Sequence, residues 1–205
     1  MTMTTHPGLN LTTARLEMRP LTHGDLGAMT KLHTDPGVMA YLGAETPEAV
    51  ASALDTLVSQ YAELELTPGH GGGRGLGTLV LVERHTRAWV GWVSLYGPAE
   101  SAARSAPGLA LALCLTQRSW GQGYATEAGR RVLEYYYSTL AGTRPVAASA
   151  PAHHGAAIRV LDKCDLRKVR GTAHGLVYAI TRAEWVAADK RRPRGSRGRM
   201  GSYMA

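Results

Sequence analysis

The ten residues Arg118-Ser119-Trp120-Gly121-Gln122-Gly123-Tyr124-Ala125-Thr126-Glu127 carry the clearest chemistry in the chain. An apolar run, Leu109–Leu115, leads into a turn with glycines two apart, and a helical pattern begins at once. Gly121 and Gly123 let the backbone take positive φ and remove the Cβ atoms that would block a ligand. Amides freed at the start of a helix, together with the positive end of its dipole, form a cradle for a diphosphate. Arg118 adds fixed charge beside it. These residues point to a phosphate-bearing ligand and specify it no further. A Walker loop needs Gly-Lys-Ser/Thr, which the chain lacks. A dinucleotide fingerprint needs a small residue where Thr126 stands and an acid ending the next strand, which instead ends Ala148-Ser149-Ala150. The competing reading is a glycine turn that only lets helix and strand pack closely.

The elements around this loop follow from periodicity and punctuation. Arg15–Leu21 alternates as a half-buried strand, with Pro20 near its end. Thr22 and Asp25 have the spacing of a capping box before a helix from about Asp25 to His33, stopped by Asp35-Pro36. Thr46-Pro47-Glu48 opens a long helix whose Val50, Leu54, Leu57, Val58, Tyr61 and Leu64 share a face. His70–Gly77 is rich in glycine and reads as loop throughout. Thr78–Glu83 and Ala88–Leu95 form a hairpin, and Leu109–Leu115 is apolar enough to be covered on both faces. The helix after the loop reaches about Leu140, and Tyr135-Tyr136-Tyr137 reads as core packing with at least one ring exposed on it. Then come a strand Pro145–Ser149, a helix Ala156–Lys163, a strand Val177–Thr181 and a final helix begun by Thr181 and Glu184. The fold class is α/β, a mixed sheet in a single domain.

Several of these segments resemble the GNAT N-acetyltransferases, in particular the Rim-type branch that acts on ribosomal proteins. Arg118-x-x-Gly121-x-Gly123/Ala125 is similar to the family's acetyl-CoA loop, and Trp120–Ala128 is nearly its consensus. Leu16–Leu21 resembles the opening strand, and Asp35-Pro36-Gly37-Val38-Met39 with Tyr41-Leu42-Gly43 the second element. Ala157–Lys163 resembles the late helix, and Val177–Thr181 with Glu184-Trp185 the closing strand and helix. The resemblance covers about Leu11 to Ala188. It implies a GNAT-like acyl-CoA N-acyltransferase domain over residues 11–188, with strands four and five splayed to hold acetyl-CoA and no metal. It further implies direct acetyl transfer to a primary amine, on a protein N-terminus or a small molecule. Leu113 and Leu115 would meet pantetheine and thioester through their backbone, and Arg118, Ser119, Gly121, Gln122, Gly123, Tyr124, Ala125 and Thr126 would hold the diphosphate.

The chemical half of the pattern departs from the family. A frequent Glu on strand four is Ala110, a frequent Asn before the late helix is His154, and a frequent Ser three residues on is Ala157. The usual Gly-Phe ending this helix is Asp165-Leu166. His154 is the ionisable candidate near the thioester, as base, acid or pantetheine contact; the plainer reading is a solvated loop histidine beside His153. Tyr96 and Glu100 border the acceptor side. Cys114 suggests an acyl-enzyme, against the plainer reading of inert packing in an apolar strand. Ala110 and Ala157 leave room for a second function, an acyl-CoA-binding or regulatory protein without turnover.

Composition bounds the rest. The 205 residues are 44% hydrophobic and 19% charged, as in an ordinary globular domain. No run approaches the roughly 18 apolar residues of a membrane span, and residues 1–10 read as a flexible N-terminus without a secretory signal. Cys114 and Cys164 make no disulfide framework and lack metal-ligand spacing. A cytoplasmic monomer or homodimer is expected. Of the net charge of +7, Lys190, Arg191, Arg192, Arg194, Arg197 and Arg199 against Asp189 place +5 in residues 189–205. That segment reads as a disordered tail, able to make weak nonspecific contacts with RNA or the ribosome.

Overall fold

The computed structural model describes residues 9–41, 43, 45–65, 75–97 and 108–191. Eight strands form one sheet: β1 (Leu11–Thr12), β2 (Leu16–Pro20), β3 (Gly75–Glu83), β4 (Trp89–Tyr96), β5 (Leu109–Leu115), β6 (Val146–Ala150), β7 (Arg167–Thr172) and β8 (Gly175–Ile180). Their order is β1-β2-β3-β4-β5-β6-β8-β7, and only the β5–β6 pair is parallel. The strand that the family counts fourth is β5 here, because the short β1 precedes the expected opening strand. The mixed α/β sheet anticipated from sequence is present.

Among the described residues six α-helices cover it: α1 (Leu26–His33), α2 (Pro36–Met39), α3 (Pro47–Glu65), α4 (Tyr124–Glu134), α5 (Gly155–Lys163) and α6 (Arg182–Arg191). Their starts are chemically marked. Before α1, the Thr22 amide and hydroxyl both donate to Asp25 at 3.0 and 2.9 Å. The Ala49 amide donates to Thr46 Oγ1 at the start of α3, and Thr181 and Glu184 cap α6 reciprocally. Residues alternate across each strand, so the sheet has two cores. Leu79, Leu81, Val93 and Leu95 meet Ala128, Val132 and Leu133 of α4, and this cluster extends to Leu161 of α5 and Trp185 of α6. On the other face Val80 and Val82 meet Met29, Val50 and Leu54 of α1 and α3, while Cys114 joins Leu32, Val38 and Met39.

Four features depart from the sequence reading. Strand β3 begins at Gly75, inside the stretch expected to be loop, because backbone pairing to Tyr96 and Leu95 needs no side chain; a bulge at Gly75/Gly77 absorbs the irregularity. Strand β7 was not anticipated: all six residues are exposed, so no apolar alternation marks it, and pairing with β8 alone defines it. The helix carrying the tyrosines changes to a π turn over Tyr135–Thr139, with the Leu140 amide donating to Tyr135 O at 3.1 Å. The wider turn brings Tyr136 and Tyr137 inward together and leaves Tyr135 half-buried, so none of the three rings is exposed. Finally, α6 runs through Arg191, three residues past the boundary read at Ala188. The rest of the expected tail, residues 192–205, and residues 1–8 lie outside the described residues.

Candidate active site

The site begins where the parallel strands part. β5 and β6 pair only at Leu109↔Val146 and Ala110↔Ala147, and diverge beyond. The Leu109 amide donates to Pro145 O at 2.8 Å, toward β6, and the Thr116 amide to Val90 O at 3.0 Å, toward β4. Successive amides alternate along a strand, so the N–H groups of Leu113 and Leu115 face the wedge between β5 and β6. Two ordered donors along an opening cleft can hold a chain of amides or polarise a carbonyl.

The glycine loop closes the C-terminal end of β5. Gly121 has φ +73° and Gly123 φ +83°, and Gly123 is the residue before the first turn of α4. Left-handed backbone at both positions excludes ordinary side chains. No atom lies within 4 Å of where a Gly121 Cβ would sit, so the glycine there answers a conformational need and leaves an open approach. The first-turn amides of α4, at Tyr124, Ala125 and Thr126, follow in sequence, as a diphosphate requires. Gln122 Nε2 donates to Arg118 O at 2.6 Å and braces the loop. Ser119 is buried with its hydroxyl 2.8 Å from Thr116 Oγ1, so its side chain serves the turn. Arg118 is exposed and donates to Trp89 O at 3.0 Å, which ties one arm of its guanidinium to the start of β4. Trp120 stands 43% exposed with its indole N–H on Leu115 O at 2.9 Å, which places the ring at the wedge.

Arg15 was not singled out by its sequence context, yet its guanidinium contacts the loop directly. It donates to Gln122 O at 2.9 Å, pairs with Glu127 at 2.6 Å and lies 4.5 Å over the Tyr124 ring. Burial would raise the Glu127 pKa, but the Thr13 hydroxyl and the Arg15 amide and guanidinium donate to it and hold it below the usual carboxylate range. The start of strand β2 and the glycine loop are thereby locked together.

The α1–α2 segment reaches both sides of the wedge mouth. On the β5 side Gln117 Nε2 donates to Asp35 Oδ1 at 2.6 Å. On the β6 side Tyr41 stacks on His154, ring centroids 3.8 Å apart and planes 10° apart. His154 is half-buried at the start of α5, and burial, then the neighbouring His153, push its pKa below the ordinary imidazole value. Its ring lies against an aromatic face, whereas His153 is exposed. Ala157 packs against the core and Ala110 is buried in β5. Burial and, secondarily, Glu45 push the Cys114 thiol up to about 12, which makes it inert packing. Tyr96, opposite Ala110, lines a cavity between the sheet and α1 and α3, together with His33 and Glu45. Neither His33 nor Glu45 was marked by a sequence motif. Glu100 lies outside the described residues. No cluster of three or more His, Cys, Asp or Glu side chains is placed to hold a metal among the described residues, and no described helix is long and apolar enough to cross a membrane.

The family model for the acetyltransferase (GNAT) domain matches residues 15–167. The chain belongs to the GNAT acetyltransferase family. It is 28% identical over 204 residues to FsC-acetyl coenzyme A-N(2)-transacetylase of Aspergillus fumigatus, covering 93% of this chain and 83% of that one. Among solved structures, a ribosomal-protein-serine acetyltransferase-like protein of Vibrio cholerae superposes with a TM-score of 0.66 at 13% identity, over 85% of this chain and 98% of that one. Spermidine N-acetyltransferase of Vibrio cholerae, solved with CoA and spermine, gives 0.59 at 16% identity, over 83% and 98%. These structures share the GNAT fold, and the wedge and loop described above belong to that acetyltransferase domain.

Proposed function

We propose that this GNAT acetyltransferase moves the acetyl group of acetyl-CoA directly to a primary amine, on a protein N-terminus or a small molecule, in the cytoplasm. The observation that carries this reading is the wedge between β5 and β6 opening onto two left-handed glycines at the start of α4. Its donors are spaced for pantetheine at one end and a diphosphate at the other. Acetyl-CoA supplies the acetyl group already activated as a thioester. The amides of Leu113 and Leu115 orient it, with charge building on the carbonyl oxygen stabilised by a fixed N–H. The loop amides from Gly121 to Thr126 hold the diphosphate, and Arg15 and Arg118 add positive charge nearby. The amine attacks as its neutral form, after any ammonium proton has passed to solvent; transfer forms a C–N bond, breaks the C–S bond with its electron pair left on sulfur, and one proton from nitrogen ends on that sulfur as the free thiol. Holding both reactants in line removes much of the barrier. The names of the Aspergillus N(2)-transacetylase and the spermidine N-acetyltransferase support an amine acceptor.

Incubation with acetyl-CoA and a panel of amines and N-terminal peptides, followed by thiol titration and mass spectrometry, tests the reading. Free thiol and an acetylated amine are expected; no thiol with any amine overturns it. The second reading, a CoA-binding protein without turnover, is favoured by Ala110 and Ala157 standing where relatives often carry reactive side chains. Calorimetric binding of CoA with no thiol release would select it.

A further inference from the structure

Cross-strand pairing sets Thr78 beside Ser94 and Trp92 beside Cys114 on the face that looks toward α1 and α3. A cavity of about 190 Å³ lies between that face and the two helices. Met29, Val50, Leu57, Trp92 and Tyr96 give it largely apolar walls. Thr78 and Ser94 satisfy each other at 2.9 Å, and the ionisable side chains that remain beside the Tyr96 phenol are His33 and Glu45. Trp92 Nε1 lies 3.1 Å from His33 Nε2. An indole nitrogen can only donate, so Nε2 is the bare nitrogen and a neutral His33 carries its proton on Nδ1. Nδ1 faces Glu45 Oε2 at 3.2 Å. Nε2 accepts from Trp92, and Nδ1 carries the proton without hydrogen-bond geometry to Glu45, so His33 has no lone pair left for an incoming group. Glu45 keeps most of its acceptor capacity, is 44% exposed, and its charge reaches Cys114 on β5. Tyr96, which lines the same cavity, pairs with Ala110 of β5.

We propose that Glu45, oriented by the Trp92–His33 chain, receives the acceptor as its ammonium ion, with a short apolar stem seated in the cavity. This rests on the amine-acetyltransferase reading and names the acceptor class: a primary amine on an alkyl or aryl stem. Glu45 supplies its negative charge from the α2–α3 connection, beside the cavity. His33 is a positioning residue, because it acts on the acceptor only through Glu45.

The probe is n-butylamine hydrochloride, with n-butanol as its neutral counterpart of similar size, added to protein saturated with CoA. The indole N–H resonance of Trp92, which donates into the chain, reports occupancy. Butylammonium should shift it saturably, and both the change to butanol and Glu45→Gln should weaken the response by roughly tenfold or more. An equal response to butanol, an equal response in Glu45→Gln, or no response overturns the proposal. In the thiol-release assay Glu45→Gln should raise KM for the amine by roughly tenfold. His33→Leu should raise KM with kcat kept, and an unchanged KM removes the positioning role. Thiol release unaffected by Glu45→Gln overturns this site and leaves acetyl transfer standing. A Glu45-dependent shift with butylammonium but no thiol release from any amine overturns acetyl transfer and leaves the site standing.

Discussion

Gly123 sits at φ +83°, where a β-branched residue cannot follow. If the loop amides hold the diphosphate as proposed, Gly123→Val moves them off it, and each lost charge-assisted hydrogen bond costs about 1.5–3 kcal/mol. Acetyl-CoA affinity should fall by about tenfold or more while the protein remains folded by circular dichroism; affinity like wild type in calorimetry would mean the loop does not hold phosphate. Arg118→Ala should do less, because its exposed guanidinium is partly engaged with Trp89 O. His154→Ala separates two roles. Loss of turnover with unchanged CoA affinity would make it an acid or base, whereas a parallel loss of affinity would make it a wall of the pantetheine channel. The Tyr41 stack and the lowered imidazole pKa favour the wall. The loop was legible in sequence because glycine spacing, strand and helix are contiguous. Arg15, Tyr41, His33 and Glu45 were not, because each acquires meaning from a distant partner: Arg15 from Glu127 across 112 positions, His33 from Trp92 across 59.

At the scale of elements, the close approach of β4 and β5 fixes the wedge's rigid wall. A Cβ at Gly91 would stand 2.2 Å from Cys114 O and 2.8 Å from Leu115 Cα, both backbone atoms that cannot step aside cheaply. Gly91→Ala should cost about 1–3 kcal/mol, the usual range for overpacking, read as a lower urea midpoint with unchanged slope. It should also weaken CoA binding, since Leu113 and Leu115 would shift with β5. A midpoint within error of wild type would show that the strands can part at this point without loss. Most helices and strands could be read from alternation and capping residues, as Thr22–Asp25 and Thr181–Glu184 illustrate. Strand β7 could not, because Arg167, Lys168 and Arg170 present no buried face. Nor could the π turn, because its single-residue excess leaves the tyrosine run compatible with an ordinary helix.

For the molecule as a whole, acid sensitivity should trace to carboxylates held low by folding. Burial would raise Asp25, but two bonds from Arg19 at 2.7 and 2.8 Å and two from Thr22 outweigh it and keep its pKa below the ordinary 3.8. A depressed folded pKa gives stability that is complete well above 3.8 and is lost as pH falls through that value toward the folded one. Asp25→Asn should lower stability at pH 7 and flatten the decline below about pH 4; an acid limb as steep as wild type would exclude Asp25 as a contributor. The parting of β5 and β6 has a mechanical side. Within the sheet, two residue pairs join the β1–β5 half to the β6–β8–β7 half, so its ladder has a seam down its middle that the α4 core spans on one face. A ligand seated there stitches the halves together, and saturation at a hundred times its Kd adds about 2.7 kcal/mol to folding. Amide exchange in β6 and β8 should slow when CoA is added; rates indifferent to CoA would show that the halves are already joined elsewhere. Starved of acetyl-CoA, the protein would open along this seam more often and be degraded sooner, so the donor supply would govern its lifetime as well as its rate.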